Sequence, residues 1–315
     1  KSSATYMKFN MLFNENFQLD ASLRIENTTY QYDGEYFDNA YYTEFPLVNY
    51  GSDNNMLGSK ISLTHFINSE SNYFISFSKG FKSGGINQEP LLSVENRKFG
   101  PEEIYNIDGG YKYFGDNQIH MFNLFYTETD GLQVNLSSQQ DSGNPNSFFY
   151  FTNNAGSSNN YGLEIDSRVR VTNNVELTTN MGYLETHTEQ FKYLTKNGEE
   201  FGGNREAAMA PKLTFNLGMN FSFNDLRLFV NNTYKSPYYF SDSHDKKSGS
   251  YNLTNLNVQR NFGKIDLKFW VNNLFDIRYE TRAFYFGLIP LDYSDELFIL
   301  HGDPLNFGIT LDYSL

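Results

Sequence analysis

The sequence contains no cysteine, which excludes disulfides and thiolate metal sites and leaves an oxidising compartment open without requiring one. It is poor in cations: 24 Lys and Arg stand against 37 Asp and Glu, for a net charge of −13. No basic patch is visible, so nucleic acid, which needs concentrated Lys and Arg, is excluded as a partner. No apolar run approaches the ~18 residues that a membrane helix needs. With a mean hydropathy of −0.56, helical membrane proteins are excluded too. What is abundant is aromatic, with 24 Tyr and 30 Phe among 315 residues. A chain both aromatic-rich and polar on average suits a transmembrane β-barrel, in which only alternate strand residues meet lipid while lumen and loops are wet. An aromatic-rich soluble β-protein shares that composition.

Hydrophobic periodicity favours the barrel. The cleanest run sets Leu213, Phe215, Leu217, Met219, Phe221 and Phe223 against Lys212, Thr214, Asn216, Gly218, Asn220 and Ser222. Its length matches the ~9–11 residues of a tilted spanning strand. Tyr161, Leu163, Ile165, Val169 and Val171 oppose Gly162, Glu164, Asp166, Arg168 and Arg170, and Leu19, Ala21, Leu23 and Ile25 oppose Asp20, Ser22, Arg24 and Glu26. Rows that mix carboxylates with arginines suit a hydrated interior and are costly in a dry core. The last residues alternate likewise, with Phe307, Ile309, Leu311, Tyr313 and Leu315 on one face.

Connections alternate in length. Short polar turns fall at 14–16, 68–71, 115–117, 172–174, 224–225 and 263, and longer polar stretches at about 31–56, 80–100, 137–149, 191–206, 241–249 and 287–303. Tight periplasmic turns alternating with extended extracellular loops are the outer-membrane pattern. The expected strands are 4–13, 17–30, 57–67, 72–79, 101–114, 118–136, 148–171, 175–190, 207–223, 226–240, 249–262, 264–286 and 304–315. Their number, about 13, is odd, whereas bacterial single-chain barrels use even numbers. First and last strand then run the same way and cannot close antiparallel. The expectation is one domain, residues 1–315, forming the C-terminal portion of a larger barrel, with any secretion signal upstream of Lys1.

Several segments resemble the C-terminal barrel of TonB-dependent outer-membrane receptors, especially the siderophore-receptor branch. They are Ser78-Lys79-Gly80-Phe81-Lys82-Ser83-Gly84-Gly85-Ile86-Asn87, Gly100-Pro101-Glu102-Glu103, Asn154-Ala155-Gly156 leading to Tyr161-Gly162-Leu163-Glu164, Ala210-Pro211-Lys212, and Val271-Asn272-Asn273-Leu274-Phe275-Asp276 followed by Tyr279. Gly308, Leu311 and Tyr313 look like the outer-membrane assembly signal, although Ser314 and Leu315 follow where the family usually ends on the aromatic. The resemblance implies an all-β, transmembrane antiparallel barrel, about 13 C-terminal strands of about 22, with plug and TonB-contacting box outside this sequence. It implies uptake of a ferric siderophore or similar scarce chelate across the Gram-negative outer membrane, with no covalent chemistry. Haem, cobalamin or a glycan are alternative cargoes, and a passive porin is the rival class. Implied partners are outer-membrane lipid, the TonB complex, the barrel-assembly machinery and a small-molecule ligand, with the receptor a monomer and no cofactor beyond the cargo.

Candidate ligand residues lie where strands give way to loops. Tyr238, Tyr239 and Phe240 are either an interfacial girdle or loop aromatics facing an aromatic chelate; Phe148 to Phe151 and Phe284 to Phe286 share that ambiguity. Arg205, Arg278 and Arg282 either attract an anionic chelate or pair with loop acids such as Glu206. The double glycine at 84 and 85 reads as loop architecture or as a ligand contact, and Val271 to Asp276 as backbone geometry, with Asn272 and Asn273 in a bulge or facing the lumen. His65, His120, His187, His244 and His301 lack metal-ligand spacing, so no metal site is expected. Asp242-Ser243-His244-Asp245 and His301-Gly302-Asp303 read as turns rather than as a general base.

Overall fold

The computed structural model describes every residue except 39–42, 90, 91, 93, 140–143, 145–147, 196, 197, 243, 295 and 315. A single sheet of 13 strands dominates, each strand antiparallel to its neighbours. They are β1 Ser2–Asn14, β2 Phe17–Asp38, β3 Thr43–Phe66, β4 Ser71–Lys82, β5 Glu102–Phe114, β6 Gln118–Asp130 and β7 Ser157–Thr172. The sheet continues through β8 Val175–Thr188, β9 Leu213–Phe223, β10 Leu226–Lys235, β11 Tyr251–Asn261, β12 Ile265–Asn272 and β13 Asn306–Tyr313. Among the described residues β1 pairs only with β2 and β13 only with β12, as the odd strand count predicts. Leu315, expected in the last strand, lies outside the described residues.

Register turns the sequence alternation into two continuous faces. Phe9, Ala21, Ile61, Phe77, Ile107, Tyr126 and Tyr161 stand side by side from β1 to β7. Leu177, Met219, Val230, Leu256, Val271 and Phe307 do the same from β8 to β13. Most of this apolar face is exposed, from Met219 at 39% to Ile309 at 71%, with Val271 buried within it, which fits a lipid-facing wall and not a soluble sandwich. The opposite face is a hydrogen-bonded polar mesh. Ser76 donates to Asp108 at 2.7 Å, Asn106 to Asp108 at 2.8 Å, Thr127 to Asn106 at 2.7 Å and Asn216 to Thr233 at 2.8 Å. Arg24 meets Glu26 at 2.6 Å. The single Trp270 lies on this inner face over Gly308, where an added Cβ would sit 2.4 Å from the indole.

Short turns join strand pairs at one end, where an aromatic belt closes the apolar face. Phe17 stacks on His65 with centroids 4.4 Å apart, Tyr73 meets Tyr111 at 4.9 Å and Tyr113 meets His120 at 6.2 Å. Rings with one polar edge are suited to a membrane interface.

At the other end several expected boundaries move. The stretch 31–56 is largely paired strand, with Asp33 opposite Asn49 and Tyr30 opposite Ser52. Its Thr and Tyr residues favour extended backbone, and a hairpin beyond the lipid needs no apolar row. The expected strands 118–136 and 148–171 each break in two. Gly131, at φ 64°, turns the chain, and Gln133–Gln139 pairs with Phe148–Asn154 as a separate hairpin. The expected strand 264–286 breaks at Asn273 and Asp276, both at φ 49°, so that Glu280–Phe286 pairs instead with Glu296–His301. The expected strand 207–223 starts only at Leu213, because Met209 has φ 57° and Pro211 has no N–H to give a ladder. Within 191–206, Phe191–Thr195 pairs with Gly198–Gly202.

Candidate functional site at the long-loop end

The long connections carry their own apolar cores. Leu92, Val134, Leu136, Phe149, Phe151, Ala155, Phe191 and Tyr193 bury one another across three connections, with Leu136 only 1% exposed. Tyr193 donates its hydroxyl to Glu200 at 2.9 Å, and burial above all, with that carboxylate, pushes the phenol pKa up. Tyr238, Phe240 and Ala283 form a second core with Tyr251, Leu297 and Ile299. Loops packed this way present a preformed surface, which lowers the ordering cost of binding.

The motifs that carried the family resemblance meet as joints between these loops. Asn87 Nδ2 donates to the carbonyls of Asn96 at 2.6 Å and Thr152 at 2.7 Å, while its Oδ1 accepts the Thr152 amide at 2.8 Å. Asn154 accepts the Gly100 amide and donates to the Gly131 carbonyl at 2.7 Å. Glu102 accepts the Gln133 amide at 2.7 Å, fastening the same corner. Gly84 and Gly85 are required by space: a Cβ at Gly84 would sit 2.6 Å from the Phe99 carbonyl, and at Gly85 2.5 Å from the Phe99 ring. Asn273, 4% exposed, donates to the carbonyls of Ile277 at 2.9 Å and Asp303 at 3.1 Å and accepts the Ile277 amide at 2.9 Å. The loop-architecture reading of 84–85 and the backbone-geometry reading of 271–276 therefore have their physical cause.

Of the candidate ligand residues, Arg205 and Tyr239 are brought together and Arg282 stands apart. The Arg205 guanidinium lies 4.2 Å over the Tyr239 ring, donates to the Ser241 carbonyl at 2.7 Å and pairs with Asp245. Lys247 approaches the same ring at 4.1 Å and binds Glu206 at 2.7 Å. Glu206 also holds Lys212 at 3.2 Å, and Lys212 reaches Glu185 on β8 at 2.8 Å. Hydrogen bonding from Lys247, the largest influence, holds the Glu206 carboxyl below its ordinary range. Tyr238 and Phe240 are interior to the second core, at 6% and 8% exposure. Arg282 is exposed on the Glu280–Phe286 hairpin, opposite Leu300.

Asp242 accepts the Ala208 amide at 3.1 Å, and burial raises its pKa. His244, edge-on to Tyr285 with centroids 5.2 Å apart, has its pKa lowered by burial. Its Nδ1 accepts the Lys246 amide at 3.3 Å, a turn contact, and Ser243 of that segment lies outside the described residues. Among the described residues no three His, Asp or Glu side chains are grouped to hold a metal ion. Sequence reading missed Lys247 and Asp245 as partners, because they lie about 40 residues from the groups they neutralise and no local pattern links them, and it missed Lys212, whose partners Glu185 and Glu206 lie on β8 and in the connection after it.

The geometry has counterparts. A family model described as TonB dependent receptor-like, beta-barrel matches residues 1–274. The fold resembles that of the ferric yersiniabactin uptake receptor FyuA from Yersinia pestis, with a TM-score of 0.80 and 17% identity over 99% of this chain and 45% of that one. It also resembles the siderophore receptor PiuA from Acinetobacter baumannii, with a TM-score of 0.78 and 17% identity over 99% of this chain and 43% of that one. The copper transporter OprC gives 0.76 and 14% identity over 100% of this chain and 48% of that one. The chain spans less than half the length of these structures.

Proposed function

This chain belongs to the TonB-dependent receptor β-barrel family, and on that premise we propose that it forms the C-terminal part of an outer-membrane receptor for TonB-coupled uptake of a ferric siderophore. The observation that carries the reading is the two-faced sheet, apolar outside and hydrated inside, surmounted at one end by loops with preformed cores. Such a wall separates lipid from a wet lumen, and the loops offer capture surface before passage. The cargo is favoured as an iron chelate because FyuA and PiuA are described as ferric and siderophore receptors. No covalent step is needed, so the chain acts as receptor and conduit rather than as an enzyme.

In this reading the plug and the TonB-contacting box belong to the remainder of a full-length receptor, which works as a monomer assembled by the barrel machinery. Arg205 and Tyr239 shape the loop surface, and the exposed Arg282 is the cation offered to an anionic chelate. Uptake of radioactive iron by cells carrying the full-length receptor, supplied chelate by chelate, tests the assignment. Expected is uptake of one ferric chelate that disappears when either the receptor or TonB is deleted. Undiminished uptake of every ferric chelate after receptor deletion would refute it.

A further inference from the structure

The β2–β3 hairpin runs on past the strand beside it. β4 pairs with β3 only up to the Ser59–Lys79 pair, whereas β2 and β3 stay paired as far as Asp38 and Thr43. The connection after β4 does not continue the sheet. It folds over the inner side of the hairpin: the Tyr30 and Ser83 hydroxyls are 2.7 Å apart, Lys98 lies 4.8 Å from the Tyr50 ring, and Tyr50 and Met56 are buried. The edge of β3 on the side that β4 vacates is left open.

Hydrogen-bond direction identifies the groups on that edge. The Phe66 amide bonds the Asn16 carbonyl at 2.7 Å on the β2 side, and the Ile67 amide bonds the Ser71 carbonyl at 3.0 Å on the β4 side. Alternate residues of an antiparallel strand turn N–H and C=O to the same side. The β2–β3 register has no shift between Asn49 and His65, so Asn49, Gly51, Asp53 and Asn55 turn theirs away from β2. All four are exposed, and among the described residues no strand pairs with them there. Their setting is acidic. From Ile25 to Ser59 the chain has six acids, Glu26, Asp33, Glu35, Asp38, Glu44 and Asp53, and no Lys, Arg or His. Natural edges are commonly guarded by lysine, and this one has none of its own.

We infer that the β3 edge from Asn49 to Asn55 is a docking site for an extended cationic segment of a partner protein, added to the sheet as a further strand. Main-chain bonds to the open amides and carbonyls hold the segment, and the carboxylates select its charge. Seven residues at ~3.3 Å each give an edge of about 20 Å, long enough for a short strand. A second copy of the same hairpin is disfavoured, because its acids would lie against these. Lys98 over the Tyr50 ring shows how the hairpin already receives a cation on its inner side. The open edge lies between strands of this chain, on the long-loop side of the wall, and the site is independent of which chelate is carried.

The test uses the full-length receptor in mild detergent and a fluorescein-labelled octapeptide alternating Lys and Val, read by fluorescence anisotropy. Expected is saturable binding that weakens as salt is raised, with an octapeptide alternating Glu and Val bound about tenfold more weakly or less. Gly51→Pro removes one outward amide and should weaken binding about tenfold, whereas Gly51→Ala keeps the amide and should bind like wild type. Asp33→Asn with Asp53→Asn should weaken binding about tenfold at low salt and flatten the salt dependence. Methylating every amide nitrogen of the Lys/Val peptide blocks both its edges without altering its charge; this should abolish binding and needs no receptor variant. No binding to wild type, retained binding of the methylated peptide, equal binding of the two charge types or undiminished binding to Gly51→Pro would each overturn the site. Iron uptake is measured on the same variants, and its failure with peptide binding intact bears on the receptor reading only.

Discussion

Replacing Asn273 tests whether the joint at the end of β12 sets the course of the following loop. Asn273→Ala removes two donations, to the Ile277 and Asp303 carbonyls at 2.9 and 3.1 Å, and one acceptance from the Ile277 amide at 2.9 Å. At ~1 kcal/mol net per bond in a buried setting this costs about 3 kcal/mol. Alanine must also adopt the left-handed φ of 49° that asparagine tolerates, which adds ~1 kcal/mol. Asn273→Gly loses the same bonds but not the backbone preference, so it should cost about 3 kcal/mol. The readout is hydrogen exchange in the full-length receptor at three amides: Asp276, bonded to the Asn273 carbonyl at 2.9 Å, Gly302, bonded to Tyr279 at 2.9 Å, and Leu305, bonded to Asp276 Oδ1 at 2.9 Å. Expected is acceleration of about 1,000-fold for alanine and about 100-fold for glycine, at 1.4 kcal/mol per decade. Rates within threefold of wild type in both variants would refute the joint; equal acceleration in both would refute the backbone contribution.

Leu217→Arg, on the outward row, should destabilise the folded receptor in liposomes by ~2–4 kcal/mol in urea titrations, and Asn216→Arg, one residue away on the wet row, by less than ~1 kcal/mol; similar costs would mean the faces are misassigned. Gly308→Val should displace the Trp270 indole, shift its fluorescence to the red and cost ~1–3 kcal/mol; an unmoved spectrum would show that the ring does not depend on the glycine. Burial lowers the His244 pKa, so the stability it contributes is present above the ordinary ~6.5 of a free histidine and is lost as pH falls through the lower folded-state value. Asp242 is raised by burial and acts in the opposite sense, its contribution being lost as pH rises through its folded value. Protection against hydrogen exchange at Phe240 and Ser248, taken relative to the intrinsic rate at each pH, should therefore fall on acidification below pH ~6.5 and stay level in His244→Asn; an unchanged acid profile in that variant would assign the effect elsewhere.

The wall was legible because its information is local. Period-two alternation at 212–223 specifies both faces of β9 without reference to any other strand, and the turns at 172–174 and 224–225 specify which strands are neighbours. The loops were not, because their structure is written at long range. Phe149 and Phe151 look like girdle aromatics when read alone, but they are buried by residues such as Leu92 and Phe191 that are far away in sequence. Tyr238 and Phe240 are buried by Ile299 and Leu297 in the same way. The breaks at Gly131, Asn273 and Asp276 are single-residue events inside otherwise strand-like runs, and an alternation count passes over them.

The same division bears on what the family motifs do. Asn87 and Asn154 each spend both ends of a side-chain amide on backbone groups of other segments, and Asn273 spends both ends on Ile277, four residues on, and its Nδ2 also on Asp303, so none has an amide end left for cargo. A residue used in this way fixes where a loop leaves the wall and leaves the loop's outward side chains unconstrained. Structures described as a ferric yersiniabactin uptake receptor, a siderophore receptor and a copper transporter share this fold at 14–17% identity. In the proposed receptor reading, specificity is assigned to exposed loop side chains outside the joints, such as Arg282 and Phe201. On that reading, Arg282→Gln together with Phe201→Ser should change chelate affinity while exchange at the joint amides stays at wild-type rates. A matching acceleration at those amides would place specificity in the joints themselves.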